Sequence, residues 1–379
     1  MHVTHNGVRY PNVRIVARDE TYAEHPEVRT PCPRFCGLAQ RHASGRVHAY
    51  AFIRFQTKHR REELQKHTIG TSGIQVAPLV FGGNVFGWTA DERTSFSILD
   101  SFVDHGLNFV DTADCYSQWA DGHQGGESET IIGKWFKESG KRDKIVLATK
   151  VGMLRSRPGL SAANIEAAVN DSLRRLQTDY IDVYFSHLDD DKTPFEETLG
   201  AYQKLVQAGK VRVVGASNFS GERLQAALKV SKESGLPAYQ VLQPEYNLYD
   251  RQGYETDLEP VAQANKLAVV TYFSLASGFL SGKYRSKADA AKAARSALVD
   301  KYFDDRGLRI VDTLIEVAKS RDTTPATVAL AWIIARPSVT APIASATSVE
   351  QLESLVAATR LQLSAEDLKR LNEASAPSN

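Results

Sequence analysis

Eight short runs of apolar, mostly β-branched residues, separated by helical patterns, leave this chain few folds to choose from. The first is Ala77-Pro-Leu-Val-Phe-Gly82, and the others lie near 108–111, 145–150, 180–187, 211–217, 240–246, 268–273 and 339–344. Most are continuously apolar rather than alternating, which is the pattern of strands buried on both faces in a parallel sheet. Between them run helical patterns such as Asp91 to His105, amphipathic and opened by an acidic cap. Strand ends recur at roughly thirty to forty residues through most of the chain, one continuous βα series. The expected fold is therefore α/β, an eight-stranded parallel β/α (TIM) barrel. A doubly wound open sheet is the competing architecture, but its Gly-x-Gly-x-x-Gly fingerprint is missing from the first strand-to-helix turn. Ahead of the first strand, Thr68-Ile-Gly-Thr-Ser-Gly-Ile-Gln-Val-Ala77 reads as a short hairpin.

Residues 1–64 stand outside this rhythm. They carry His, Arg and Pro with short apolar clusters such as Tyr50-Ala-Phe-Ile53, and no sustained helix or strand period. A poorly ordered extension is expected there, preceding a barrel of residues 65–379. No candidate site residue lies in it, so deleting residues 1–64 is expected to leave a folded, active protein. Insolubility of the truncated chain, or strongly protected amides within 1–64 in hydrogen exchange, would contradict this. Cys32 and Cys36, with His25 and His42 nearby, do not meet zinc-site spacing, and no metal is expected.

A net charge of +1, from 46 Lys and Arg against 45 Asp and Glu, gives no reason to expect nucleic acid or an anionic membrane as partner. No apolar stretch approaches the ~20 residues of a bilayer span, and the N-terminus lacks the charged-then-apolar pattern of a secretory signal. The three cysteines are an odd number without disulfide-framework spacing. A cytoplasmic protein is expected; its oligomeric state is left open.

The ends of the strands carry the chemistry. Asn108-Phe-Val-Asp-Thr-Ala-Asp-Cys-Tyr116 delivers a carboxylate, Asp111, off a strand end and a phenol, Tyr116, five residues later. Lys150 closes Ile145-Val-Leu-Ala-Thr-Lys150, and His187 closes Tyr180-Ile-Asp-Val-Tyr-Phe-Ser-His187. In a parallel barrel all four share one rim. A phenol with a reference pKa near ~10 is a poor proton donor at neutral pH. A buried lysine cation beside it lowers that pKa, a carboxylate keeps the lysine charged, and the phenol can act as general acid. A histidine placed opposite can hydrogen-bond a carbonyl oxygen and stabilise the developing alkoxide.

With that tetrad, and with Gly215-Ala-Ser-Asn218, Gln243-Pro-Glu-Tyr-Asn247, Val270-Thr-Tyr-Phe-Ser-Leu-Ala-Ser-Gly278 and Gly282-Lys-Tyr284, the chain resembles the aldo-keto reductase superfamily over roughly residues 65–375. Its motifs are those of the bacterial type related to the potassium channel beta-subunit-like branch. The resemblance implies Tyr116 as acid/base, Lys150 and Asp111 as the pair that sets its pKa, and His187 as carbonyl orienter. It makes the 68–77 hairpin a lid over the bottom of the barrel. It implies NADP(H) or NAD(H) as cofactor, without flavin or metal, and a small-molecule carbonyl or alcohol as substrate. Ser217, Asn218 and Gln243 match the amide-binding residues, and Tyr272 the ring-stacking aromatic. Gly82, Gly83, Asn84 and Asp111 fall at the cofactor as well. Leu275, Ser277, Gly278, Gly282 and Lys283 match the segment that straps the pyrophosphate.

Two departures stand out. Phe273-Ser274 replaces the commoner Ser-Pro, and Ser345-Ala-Thr347-Ser348 with Gln351 is neutral where the family frequently places Lys or Arg for the adenosine 2′-phosphate. Such a set donates hydrogen bonds but lacks a charged partner for phosphate, so use of NAD(H) is expected alongside NADP(H). Long inserts at 117–127 and about 276–305 are the candidate substrate loop and cofactor strap, with Trp88 and Trp119 expected to line an apolar substrate pocket. The rival readings are a catalytically weak, cofactor-binding regulatory subunit of the same fold, and a metal-dependent barrel hydrolase with Asp111 and His187 as ligands.

Overall fold

The computed structural model describes residues 3–5, 8–10, 64–290 and 296–377. All eight expected runs contain a strand: β1 (Val80–Gly82), β2 (Phe109–Asp111), β3 (Val146–Val151), β4 (Ile181–Ser186), β5 (Val211–Ser217), β6 (Tyr239–Gln243), β7 (Ala268–Thr271) and β8 (Ala341–Ala344). Each pairs parallel with the next, and Ile343 of β8 against Val80 of β1 closes the barrel. Several connecting helices begin at side-chain caps, the expected one at Asp91 among them: Asp91, Ser161, Ser220, Thr324 and Ser348 each accept from the backbone N–H three residues on.

The continuous apolar character of the strands follows from burial on both faces. One parity points into the barrel, where Val80, Phe109, Val146, Ala148, Val183, Phe185, Val213, Val241, Ala268, Val270, Ala341 and Ile343 form a packed plug. The other parity, including Phe81, Val110, Leu147, Val214, Leu242 and Val269, packs against the helices. Gly215 has a specific reason to be glycine, since a Cβ there would stand 2.4 Å from the Phe185 ring inside the plug.

The expected hairpin forms from His67–Thr68 and Gln75–Val76. Its Ile69, Ile74 and Val76 join the inward cluster, and Thr71 bonds the side chain of Gln240 near the start of β6. It thus covers the end of the barrel from which the strands begin, and leaves the other end for chemistry.

Residues 1–60 are a unit separate from 61–379. In it Val3–His5 pairs antiparallel with Val8–Tyr10. The expected disorder of the extension, and the grouping of Cys32, Cys36, His25 and His42, lie otherwise outside the described residues.

Candidate functional site

Side chains along a strand repeat their direction every second residue. One step past the apolar plug, that repeat puts Gly82, Asp111, Lys150, His187, Ser217, Gln243, Tyr272 and Ser345 inward at the C-terminal end, one from each strand or the residue just after it. All of them except Lys150 line one cavity of about 820 Å3, within the size range of small-molecule sites. Lys150 lies beneath the floor.

The floor is a hydrogen-bonded cluster. Lys150 Nζ, with 0 % of the side chain exposed, donates to Asp111 Oδ2 at 2.6 Å, to the Thr112 carbonyl at 2.8 Å and to Tyr116 Oη at 2.8 Å. Tyr116 Oη in turn donates to Asp111 Oδ2 at 3.0 Å, and Gln243 Nε2 donates to Asp111 Oδ1 at 2.9 Å. Burial pulls the Lys150 pKa below its ordinary value, and the Asp111 carboxylate works against that pull. His187 stands beside the phenol, ring centroids 6.0 Å apart. Burial and then the Lys150 charge press its pKa well below the usual histidine range, so the imidazole is neutral.

From this floor a polar chain runs along one wall. Ser217 Oγ donates to the Gln243 carbonyl, Asn218 Nδ2 to the His187 carbonyl, and Tyr272 Oη to Asn218 Oδ1 at 2.8 Å. Asn218 holds a left-handed φ of 55°, an uncommon conformation that turns the chain sharply off β5. Phe273, Ala276 and Ser277 are also left-handed, at 51°, 49° and 55°. Such strain gathers at ligand clamps. The path around Phe273-Ser274 is secured by Ser274 Oγ donating back to the Thr271 carbonyl.

Two features of the cavity fit a dinucleotide. Ser277 Oγ is buried, lines the cavity and has no hydrogen-bond partner among the described residues; a phosphate oxygen would satisfy it. Lys283 lines the same wall, and Gly278 between them leaves room, since a Cβ there would meet Lys283 Nζ at 3.4 Å. At the pocket floor a Cβ on Gly82 would stand 2.7 Å from Ser345 Oγ, and Ser345 Oγ donates to Asn84 Oδ1 at 2.6 Å across the β1–β8 seam.

Asn84, Leu275, Thr347 and Gln351 line the cavity where the sequence places them, together with Trp119. Gln351 Oε1 accepts from both the backbone N and Oγ1 of Thr347, so this neutral corner is internally bonded. Two residues stand one layer back. Gly83 accepts a hydrogen bond from Ser128 through its carbonyl, and Trp88 meets Trp119 edge-on with centroids 5.6 Å apart. Arg285 is held by Asp312 and does not reach the lining. Met153, Thr324, Ser354 and Leu355 do line it; they come from loop and helix positions with no local signal of a site.

The family model for the aldo/keto reductase family matches residues 78–376, and the chain belongs to that family of oxidoreductases, whose members use NAD(P)H. Among its relatives is an uncharacterized oxidoreductase of Bacillus subtilis, YrpG, 37% identical over 316 residues, covering 80% of this chain and 94% of the relative. A probable voltage-gated potassium channel subunit beta of Arabidopsis thaliana is 34% identical, covering 76% and 89%. The aldo-keto reductase yakc [NADP(+)] of Schizosaccharomyces pombe is 31% identical, covering 75% and 83%. Among the described residues no helix is long and apolar enough to cross a membrane.

Proposed function

We propose that this protein reduces aldehydes or ketones to alcohols, or runs the reverse reaction, by direct hydride transfer with NAD(P)(H). The observation that carries this reading is the Asp111–Lys150–Tyr116 cluster on the cavity floor with neutral His187 beside it. The bound nicotinamide supplies the hydride. Tyr116 gives its proton to the carbonyl oxygen as charge develops there, and the Lys150 ammonium 2.8 Å away faces the phenolate that remains. Asp111 holds that ammonium in place and balances its charge. His187, uncharged, donates a hydrogen bond to the same carbonyl oxygen and orients it.

Ser217, Asn218 and Gln243 hold the carboxamide of the cofactor, Tyr272 carries its ring, and Leu275, Ser277, Gly278 and Lys283 hold the pyrophosphate. Trp119, Met153 and Phe273, each more than a third exposed, line the cavity, and support an apolar carbonyl compound as substrate. A panel of carbonyls and alcohols assayed with both cofactors at the nicotinamide absorbance tests the reading. Sustained turnover of simple aldehydes separates it from a catalytically weak cofactor-binding regulatory subunit, a reading favoured by the probable channel beta subunits among the relatives.

Cofactor choice follows from the neutral corner. Ser345, Thr347 and Gln351 offer the 2′-phosphate hydrogen bonds without charge, and charge-assisted bonds are about twice as strong as neutral ones. NAD(H) and NADP(H) are expected to differ by less than about a hundredfold in kcat/KM, under ~3 kcal/mol. Thr347→Arg is expected to shift preference toward NADP(H). With Arg285 engaged by Asp312, Lys283 is, among the described residues, the lining cation able to upset this. A thousandfold preference for NADPH in the unmodified protein, lost in Lys283→Met, would overturn the assignment of the neutral corner.

A further inference from the structure

Behind the His187 imidazole lies a group of donors that the proposed reduction does not use. Cys115 Sγ stands 3.5 Å from His187 Nδ1, and a carboxylate oxygen of Asp114 completes a set whose three atoms all lie within 4.8 Å of one another. Asp114 is 1 % exposed, yet neither of its carboxylate oxygens has a hydrogen-bond partner among the described residues. Buried polar atoms are ordinarily satisfied, and a buried carboxylate is ordinarily paired or bound to a metal. The cations nearest in charge are committed elsewhere: Arg175 to Glu129, Arg157 to Asp171 and Lys150 to Asp111. Asp114 therefore lies beside a thiol and an imidazole, and no cation among the described residues bonds to it.

The donor set selects the ion. One thiolate, one imidazole and one carboxylate suit a borderline-soft divalent cation and do not suit calcium or magnesium, which take oxygen ligands. Zinc bonds of about 2.3 Å to sulfur and about 2.0 Å to nitrogen, at a tetrahedral angle, put those atoms about 3.5 Å apart. That is the separation between Cys115 Sγ and His187 Nδ1. The carboxylate has to close in by about an ångström to reach a tetrahedral vertex. His187 lines the main cavity, so an ion held on its Nδ1 lies one imidazole ring away from that cavity.

We propose that Asp114, Cys115 and His187 form an inhibitory site for a thiophilic divalent cation of the zinc class. Binding replaces the thiol proton with the metal: the S–H bond breaks, an S–metal bond forms, and the proton leaves to solvent. The ion also takes the Nδ1 lone pair, so the imidazole is tied to Asp114 and Cys115 and drawn from its place beside Tyr116. Binding stands by itself; inhibition rests on the proposed carbonyl reduction.

Cobalt(II) is the probe, because a thiolate ligand gives it a charge-transfer band. The full chain carrying Cys32→Ser and Cys36→Ser, which leaves Cys115 as the sole thiol, is stripped with a chelator and titrated with cobalt, then with zinc as competitor. Expected are stoichiometric binding with the thiolate band, loss of the band in Cys115→Ala, and at least about tenfold weaker binding in Asp114→Asn, as for loss of a metal-site group. If Cys115→Ala does not fold, Cys115→Ser keeps the volume and must still lose the band. Zinc should inhibit carbonyl reduction reversibly, with inhibition abolished by the same Cys115 variant. No thiolate band, or zinc inhibition unchanged in the Cys115 variant, overturns the site. Cobalt binding as described in a protein that reduces no carbonyl leaves the site standing and refutes the proposed reaction instead.

Discussion

Tyr116→Phe is expected to slow carbonyl reduction by at least about a hundredfold, the scale of a lost general acid, while leaving the fold and cofactor affinity nearly unchanged. The change removes one oxygen. Lys150 Nζ keeps Asp111 and the Thr112 carbonyl as acceptors, and the ring keeps its neighbours Trp119 and His187, with centroids 6.0 Å away in each case. The cofactor-side residues Ser217, Asn218, Gln243 and Tyr272 are tied to one another and to Asp111, and do not depend on the phenol oxygen. Steady-state kinetics on an unactivated aldehyde and a direct measurement of cofactor Kd check the two halves separately. Near-native kcat in the purified variant would show that the proton comes from elsewhere and that the tetrad is misassigned.

Lys150→Met should damage stability and rate together. The ammonium is fully buried in an ion pair with Asp111, itself 1 % exposed. Removing one member of a buried pair leaves the other charged without compensation, which costs about 3–5 kcal/mol. The Thr112 carbonyl loses its donor as well. The denaturation midpoint should fall accordingly, and the rate should drop at least as far as in Tyr116→Phe, because the phenolate would form without a facing cation. Adding Asp111→Asn to Lys150→Met removes the stranded charge. It should recover much of the stability and none of the activity, the non-additive result of a coupled pair. A single variant as stable as the parent would mean that Asp111 and Lys150 are not paired as described. In the unmodified protein, burial lowers the Lys150 pKa, so activity should decline on the alkaline side earlier than the titration of an ordinary lysine would allow. Cofactor affinity followed over the same range separates loss of the cation from loss of binding.

Much of the site was legible because it obeys a local rule. A strand buried on both faces shows itself as an apolar run, and the residue two places beyond its last inward apolar side chain points the same way. Phe109 therefore announces Asp111, Ala148 announces Lys150, Phe185 announces His187 and Val241 announces Gln243. The helix start at Asp91 was legible for the same kind of reason: its cap acts on the backbone three residues away and needs no tertiary context.

What the chain alone could not decide depends on distances across the barrel. Trp88 and Trp119 looked equivalent as aromatic loop residues, yet Trp119 lines the cavity and Trp88 backs it. Lys283 and Arg285 stand two residues apart in the strap, and Asp312, an acid on the helix Asp305–Ser320, takes only the arginine. Asp114, inside the Asn108–Tyr116 run, carries no sign in sequence that both its oxygens are buried without a partner among the described residues. The bond from Gln243 to Asp111 spans 132 residues, and that from Ser345 to Asn84 spans 261. Period and capping are set by neighbours within a few residues, so the sequence by itself determined the strands, their order and the inward-facing polar groups. Barrel closure sets which of those groups come within hydrogen-bond reach, because it depends on the register of all eight strands together, and only the tertiary structure decided that.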